Sequence, residues 1–283
     1  MRVLVLGATG RLGQMLRWAW RDRPGFDVTW QTRRAMPGDD WLVLDPLTEP
    51  ERLRQAASGR DAVVVLAGVV PGRTEPMSDN TRLALAAVNA VAEDGPHVFL
   101  ASSAAVYGCP ETPCRETTLP RPTTHYGHAK LRMERAARAR IPAVTCLRIG
   151  NVAGADALLR TRGQESGPVA LDHFPDGRSP RRSYIGPASF ARVLAELIEA
   201  GARGVRLPPT LNIAAPEPVE MADLLEAAAI PWETRPAPPD ALARLDLDVT
   251  RLSKLVSLPV ATGTPASLIA EWRTYPGQGG AIR

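Results

Sequence analysis

The first half of the chain repeats one exchange: a short apolar run, an amphipathic stretch, then another short apolar run. Val3 to Leu6 is continuous, apolar and closed at once by Gly7, which reads as a buried strand. Leu12, Met15, Leu16, Ala19 and Trp20 then recur at helical spacing, and Pro24-Gly25 stops that helix. Further strands are predicted at 28–32, 41–44, 62–66, 97–101 (running into Ser102-Ser103) and 143–149. Helices are predicted at 50–57, 80–92 and 126–140. Strands and helices alternating at this pitch imply a parallel sheet covered on both faces. The expected fold class is therefore α/β, a Rossmann-type doubly wound parallel sheet.

After Gly150 the rhythm breaks. Residues 155–187 are rich in Gly, Arg, Ser and Pro, with little periodicity. Helices are predicted at 189–200, 221–229 and 266–275, and a strand around Leu211-Asn212-Ile213. The proline-rich stretch 231–239 reads as an extended connection, and the Gly-rich tail is expected to fray.

Gly7, Gly10 and Gly13, with Thr9, Arg11 and Leu12 between them, join the first strand to the first helix. Glycine permits the tight turn and lets the backbone approach a pyrophosphate at the helix N-terminus. A dinucleotide is thus expected here. An acidic residue after the second strand would bind the ribose 2′-hydroxyl of NAD, whereas arginine suits the 2′-phosphate of NADP. That strand ends Gln31-Thr32-Arg33-Arg34 with no carboxylate, so NADP(H) is expected in preference to NAD(H), with Arg11 assisting. Asp45 is placed either on the adenine amino group or as the cap of the turn before Pro46.

Tyr126 and Lys130 stand four apart, one turn along a helix. A free phenol is a poor base at neutral pH, and a neighbouring ammonium lowers its pKa. Ser103, at the end of a parallel strand, is placed to hold a substrate oxygen beside the tyrosine. Ser103, Tyr126 and Lys130 are the predicted catalytic set.

Other bulk features narrow the class. A net charge of +4 from 34 basic and 30 acidic residues is too small and scattered for nucleic acid, and suits an anionic small molecule. Cys109, Cys114 and Cys146 form no disulfide framework and point to a reducing cytoplasm, and no metal site is expected. No signal peptide and no membrane-length apolar run is found, so a soluble cytoplasmic protein is expected.

Taken together, residues 5–13, Ser102-Ser103-Ala104-Ala105-Val106-Tyr107-Gly108 and Tyr126-x-x-x-Lys130 resemble the extended short-chain dehydrogenase/reductase superfamily, in its NAD(P)-dependent epimerase/dehydratase branch. Leu147 to Val152, Pro180 to Ile185, Leu211 to Ala214 and Leu245 to Leu252 resemble its later landmarks. The resemblance implies Ser103 and Tyr126 as catalytic, and Lys130 as also holding the nicotinamide ribose. It implies Leu66, Ala67, Gly68 and Asn80 beside the dinucleotide, and Asn151 and Arg182 on the substrate. It also implies a homodimer through the helices flanking the fifth strand. Ala104 and Ala105 stand where related dehydratases carry Asp-Glu, which argues against dehydration. Ser189 replaces a common acidic residue, and the segment between Gly150 and Pro187 is short, which implies a reduced substrate lobe.

Residues 1–150, with later returns around 183–215, are expected to form the dinucleotide-binding domain. Residues 151–182 and 216–283 are expected to form a small substrate lobe. The working expectation is an NADP(H)-dependent oxidoreductase interconverting a secondary alcohol and a ketone on a polar sugar-derived substrate. The alternatives are an epimerase with retained NAD(P) and a non-catalytic NADP-binding sensor.

Overall fold

A computed structural model of the chain describes every residue except 39, 92–94, 111–112, 142, 161–166 and 277–283. The Gly-rich tail falls outside the described residues. The alternating first half folds as β1 (Arg2–Leu6), α1 (Arg11–Trp20), β2 (Asp27–Thr32), β3 (Trp41–Val43), α2 (Pro50–Ala57), β4 (Ala62–Val65), α3 (Asp79–Asn89), β5 (His97–Ser103), α4 (His125–Arg138) and β6 (Val144–Ile149). The second half adds β7 (Asn151–Val152), α5 (Ala157–Arg160), β8 (Val169–His173), β9 (Arg181–Arg182), β10 (Tyr184–Ile185), α6 (Pro187–Ala202), β11 (Thr210–Ile213), β12 (Val219–Glu220), α7 (Met221–Ala227), β13 (Trp232–Pro236), β14 (Arg244–Leu245) and α8 (Pro265–Thr274).

Seven strands form one parallel sheet in the order β11-β6-β5-β4-β1-β2-β3, the doubly wound α/β fold. Its centre goes to the strands with the most continuous apolar runs. Val3 to Leu6 and Ala62 to Val65 are buried throughout, and pair in register with Val5 opposite Val64. On its other side β1 pairs with β2, Val5 opposite Trp30. The winding therefore reverses at β1, and ligands bind in the crevice outside the carboxyl ends of the strands at such a point. Leu53 of α2, Ala84 and Val88 of α3, and Met133 and Ala137 of α4 pack with Leu4, Leu6, Val63, Val65 and Leu100 in one core cluster.

The described residues gather into two compact units. The first comprises Met1–Gly108, Pro120–Arg148 and Leu194–Leu211; the second comprises Cys109–Leu119, Ile149–Val193 and the described residues from Asn212 on. The second has its own core of Ala153, Leu159, Tyr184, Leu224, Leu268 and Ile269. Segment Cys109–Leu119 belongs there for a visible reason. Cys114 N–H donates to the Asp246 carbonyl (2.8 Å), while Asn212 Nδ2 donates to the Cys114 carbonyl (2.8 Å).

One stretch differs from expectation. Within 231–239 the chain is not a plain connection, because Trp232–Pro236 is β13. It pairs in parallel with β8, drawn from the aperiodic 155–187 region. Most positions of both strands are partly or fully exposed, so burial imposed no alternation to detect. Among the described residues no helix is long and apolar enough to cross a membrane.

Candidate active site

The site starts where β1 ends. Gly7 has φ +84°, and a Cβ there would lie 2.5 Å from the Ala67 nitrogen, so the turn after β1 can approach the turn after β4 only with glycine. Gly10 is different. Its φ is −71°, and a Cβ would meet only the Gly7 carbonyl oxygen, at 3.3 Å. The protein's own packing therefore constrains Gly10 far less than Gly7. Gly10 is also the N-cap of α1, which no side chain caps. Uncapped N–H groups behind a residue lacking a side chain fit a pyrophosphate. The Arg11, Leu12 and Gly13 positions open that helix, and the Thr9 carbonyl is held by Gln14 Nε2 at 3.0 Å.

Sequence reasoning missed Gln31. It is buried in β2; its Oε1 accepts from the Gly7 N–H (2.9 Å), and its Nε2 donates to the Leu44 carbonyl (2.6 Å). It fixes the turn to two strands at once. The available signal was an amide beside Trp30 near the end of a strand whose last three residues are buried. Beyond it, the Thr32 hydroxyl donates to the Arg34 carbonyl (3.0 Å) and accepts from the Arg34 N–H (3.2 Å). The two arginines are thereby held at the strand end, both exposed; Arg33 Nη2 lies 3.5 Å from Glu75 Oε1. Asp45 Oδ1 accepts from the Leu47 N–H (2.9 Å), so its carboxylate caps the turn through Pro46, the second of the two expected placements.

After β4 the chain runs through Leu66, Ala67 and Gly68. Both Leu66 and Ala67 N–H groups donate to the Leu6 carbonyl (2.9 Å each). Asn80 is buried, and its amide clamps this loop: Oδ1 accepts from the Val69 N–H (3.2 Å), while Nδ2 donates to the Val69 (3.0 Å) and Met77 (3.1 Å) carbonyls. Its visible task is to shape the loop. A Cβ on Gly68 would stand 3.1 Å from Lys130 Nζ, so the glycine turn, this loop and the lysine are brought together.

Tyr126 reaches the site through the start of α4. Thr124 caps that helix by accepting from the Gly127 N–H (3.0 Å). A Cβ on Gly127 would lie 2.4 Å from the Ala105 carbonyl oxygen, so α4 begins pressed against the turn that follows Ser103. Ser103 Oγ accepts from the Ala105 N–H (3.2 Å) and hydrogen-bonds the Tyr126 side chain. Lys130 is 4% exposed; its Nζ donates to the Ala101 carbonyl (2.8 Å) and lies 5.7 Å from the Tyr126 ring centroid.

The electrostatics correct one expectation. The Tyr126 phenol is raised, not lowered, chiefly by burial; the Ser103 hydrogen bond and the Arg11 charge oppose this. Lys130 donates to Ala101 and faces the Tyr126 ring, while the Arg11 charge is what pulls the phenol down against burial. Lys130 itself is pulled down to about 8 by burial, against an opposing pull from Glu134.

Of the residues assigned to substrate, Asn151 and Arg182 lie in the second unit. Asn151 hydrogen-bonds the Tyr184 side chain. Arg182 donates to the backbone carbonyls of Arg181 (2.8 Å), Ala243 (3.1 Å) and Leu242 (2.5 Å), so three of its hydrogen bonds are structural.

A glycine turn at the reversal point of a doubly wound sheet, with a tyrosine and lysine one helical turn apart beside a strand-end serine, defines an enzyme of the extended short-chain dehydrogenase type. The sequence matches the NAD dependent epimerase/dehydratase family over residues 3–170, and the chain belongs to that family. No curated protein matches it. Among solved structures, UDP-glucose 4-epimerase from Bifidobacterium longum, in complex with NAD+ and UDP, is similar at 20% identity and TM-score 0.76, covering 99% of this chain and 100% of that one. UDP-glucuronic acid 4-epimerase from Bacillus cereus, in complex with UDP-glucuronic acid and NAD, is similar at 18% identity and TM-score 0.77, covering 97% and 99%. A short-chain dehydrogenase/reductase superfamily protein from Agrobacterium tumefaciens with bound NAD is similar at 20% identity and TM-score 0.73, covering 98% of each chain.

Proposed function

We propose that the protein is an NADP(H)-dependent oxidoreductase that interconverts a secondary alcohol and a ketone on a polar, sugar-derived substrate. The observation that carries the cofactor choice is the end of β2. Thr32, Arg33 and Arg34 stand there without a carboxylate, and the Thr32 hydroxyl pins the Arg34 backbone. Two exposed guanidiniums stabilise a phosphate dianion and gain little from a neutral hydroxyl pair.

Gly7 to Gly13 and the α1 N-terminus would hold the pyrophosphate, Arg33 and Arg34 the 2′-phosphate, and Lys130 the nicotinamide ribose. The bound cofactor supplies hydride chemistry. Ser103 orients the substrate oxygen, and Tyr126 gives or takes its proton at the phenolic oxygen. Lys130 and Arg11 favour the phenolate that remains after Tyr126 donates. Ala104 and Ala105 offer no acid or base for eliminating water, which speaks against dehydration.

Fluorescence titration tests the cofactor. The wild type is expected to prefer NADPH over NADH, and Arg33→Ala/Arg34→Ala to lose about 10-fold or more in NADPH affinity, as expected for charged hydrogen bonds each contributing about 1.5–3 kcal/mol. An unchanged preference refutes the assignment. Tyr126→Phe should reduce turnover at least about 100-fold with NADPH binding nearly unchanged. Full activity in that variant would favour the sensor reading instead.

An epimerase with retained nucleotide is the second reading, favoured by the family and by the epimerases named above. Stoichiometric consumption of NADPH per product selects the reductase, and none selects the epimerase. Asn151 and Arg182 keep their proposed substrate roles: alanine variants should raise KM, and Arg182→Ala should also lower the thermal midpoint, because its three bonds to backbone carbonyls are lost. The assembly is proposed to be a homodimer through α3 and α4, where Leu83 and Leu85 are partly exposed. Light scattering that returns only the 30.4 kDa monomer removes it.

A further inference from the structure

Behind the proposed proton-transfer unit lies a buried charged cluster that the reaction as described does not use. Glu134 follows Lys130 by one turn of α4 and is 0% exposed. Its Oε1 accepts from Ser102 Oγ (2.5 Å) and Arg148 Nε (3.0 Å), and its Oε2 accepts from Arg148 Nη2 (2.8 Å). Arg148 is 3% exposed, on a strand that is otherwise apolar but for Thr145, with its guanidinium carbon 4.8 Å from the Tyr107 ring centroid. A buried pair of this kind adds little stability over apolar residues of similar volume. Its presence here is better explained by what it touches.

Three consecutive residues at the end of β5 connect it to the site. The Ala101 carbonyl receives the Lys130 ammonium, the Ser102 hydroxyl donates to Glu134, and Ser103 hydrogen-bonds Tyr126. Lys130 and Arg148 would be two buried cations without a counter-charge if Glu134 were neutral.

We propose that Glu134, clamped by Arg148 and Ser102, is a positioning residue for Lys130: its charge keeps the buried ammonium protonated, and its bond from Ser102 fixes the strand end that presents Ser103. The proposal rests on the reading of Tyr126 and Lys130 as the proton-transfer unit. Among the described residues, five groups face Lys130. Tyr126 and Glu134 come from its own helix, Cys146 from β6, the Ala101 carbonyl from β5, and the Asn80 side chain from α3. The Cys146 thiol is pushed up to about 12, chiefly by burial, and so stays neutral through the working range. Asn80 carries no charge. Glu134 is therefore the anion that acts on the lysine.

Composition makes the test direct. Of the 34 lysines and arginines, only Lys130 and Lys254 are lysines, and Lys254 is exposed. The full-length protein labelled with ¹³C-lysine should show two side-chain resonances, assigned with Lys254→Arg and titrated by NMR without substrate or cofactor. Lys130 is expected to titrate near its lowered value of about 8. In Glu134→Gln its midpoint should fall further, by about 1 pH unit or more. In Arg148→Met, where Glu134 loses its ion-pair partner, the midpoint should rise. Near-ultraviolet circular dichroism establishes that each variant is folded; if Glu134→Gln does not fold, the double variant Glu134→Gln/Arg148→Met carries the test, its midpoint expected to fall below that of Arg148→Met and a midpoint equal to or above it overturning the proposal.

A folded Glu134→Gln with an unmoved or raised midpoint, or an Arg148→Met midpoint that stays or falls, overturns the proposal. Loss of packing alone would admit water and move both midpoints upward together. Because this readout needs no turnover, it separates from the catalytic reading. If Tyr126→Phe stays active while the lysine titration moves as stated, the function fails and the positioning role stands.

Discussion

At the scale of single residues, the chain's near-exclusive use of arginine sets Lys130 apart. With 34 basic residues and two lysines, a lysine at the centre of the site is not an incidental choice of cation. Arginine is always charged and presents a planar fork, whereas lysine is a compact ammonium whose pKa yields to burial. Lys130 stands under Gly68, bonded to a backbone carbonyl, with its ionisation pulled down to about 8. Lys130→Arg is therefore expected to keep the charge yet lower turnover about 100-fold or more, the order contributed by a displaced proton-transfer group. Activity measured against pH adds a second check. The wild-type rate should fall as pH rises through about 8, where Lys130 loses its proton. A variant that matches the wild type in rate and pH profile would show that charge alone suffices. Tyr126, Lys130 and Ser103 were legible because their spacing and context carry chemistry. Glu134, Arg148 and Gln31 were not singled out, because a buried polar residue reveals its partner only after folding.

At the scale of elements, legibility followed burial. Strands β1 and β4 were readable because both of their faces are covered, so the apolar run is continuous. Strands β8 and β13 form a two-stranded sheet with mostly exposed positions, and several others are two residues long, too short for any period. Helix α6 shows a subtler case. The family resemblance implies an acidic residue where Ser189 stands, and no acidic residue lies in the first turn of this helix. The fold supplies one from elsewhere: Glu271 of α8 accepts from the Ser189 N–H (2.8 Å) and hydroxyl (2.6 Å). This satisfies an orphan donor of the first turn and complements the helix dipole. Glu271→Ala should destabilise the protein by about 1–2 kcal/mol, the range for losing an N-terminal cap, read as a lower urea midpoint. A second carboxylate restored locally, Ser189→Asp in the Glu271→Ala background, should recover part of it. No recovery would mean that the loss came from the packing of Glu271 against Gly186 instead.

At the scale of the whole molecule, stability should carry an acid limb set by His97. The ring is mostly buried beside Phe99, centroids 4.8 Å apart, and burial lowers its pKa from 6.5 to about 4. Thr145 decides its tautomer. The Thr145 hydroxyl donates its one hydrogen to the Pro208 carbonyl (2.9 Å), so the 2.8 Å contact with His97 must be donated by Nε2. The neutral ring is thus tied into the sheet, and protonating Nδ1 would place a charge in a largely desolvated site. The unfolded chain takes up that proton near pH 6.5, while the folded chain resists it until about 4. Between those values the unfolded state binds more protons, so folding stability falls as pH falls. The contribution is intact above pH 6.5 and gone below about 4, with a full span of up to about 3 kcal/mol, since each pKa unit is worth about 1.4 kcal/mol. Carboxylates add their own acid dependence, so the comparison must be internal. Urea midpoints of the wild type and His97→Gln, measured from pH 7.5 to 4.5, should converge as the pH drops, because glutamine can keep the bond to Thr145 but cannot titrate. Midpoints that run parallel across that range would place the acid sensitivity elsewhere in the fold.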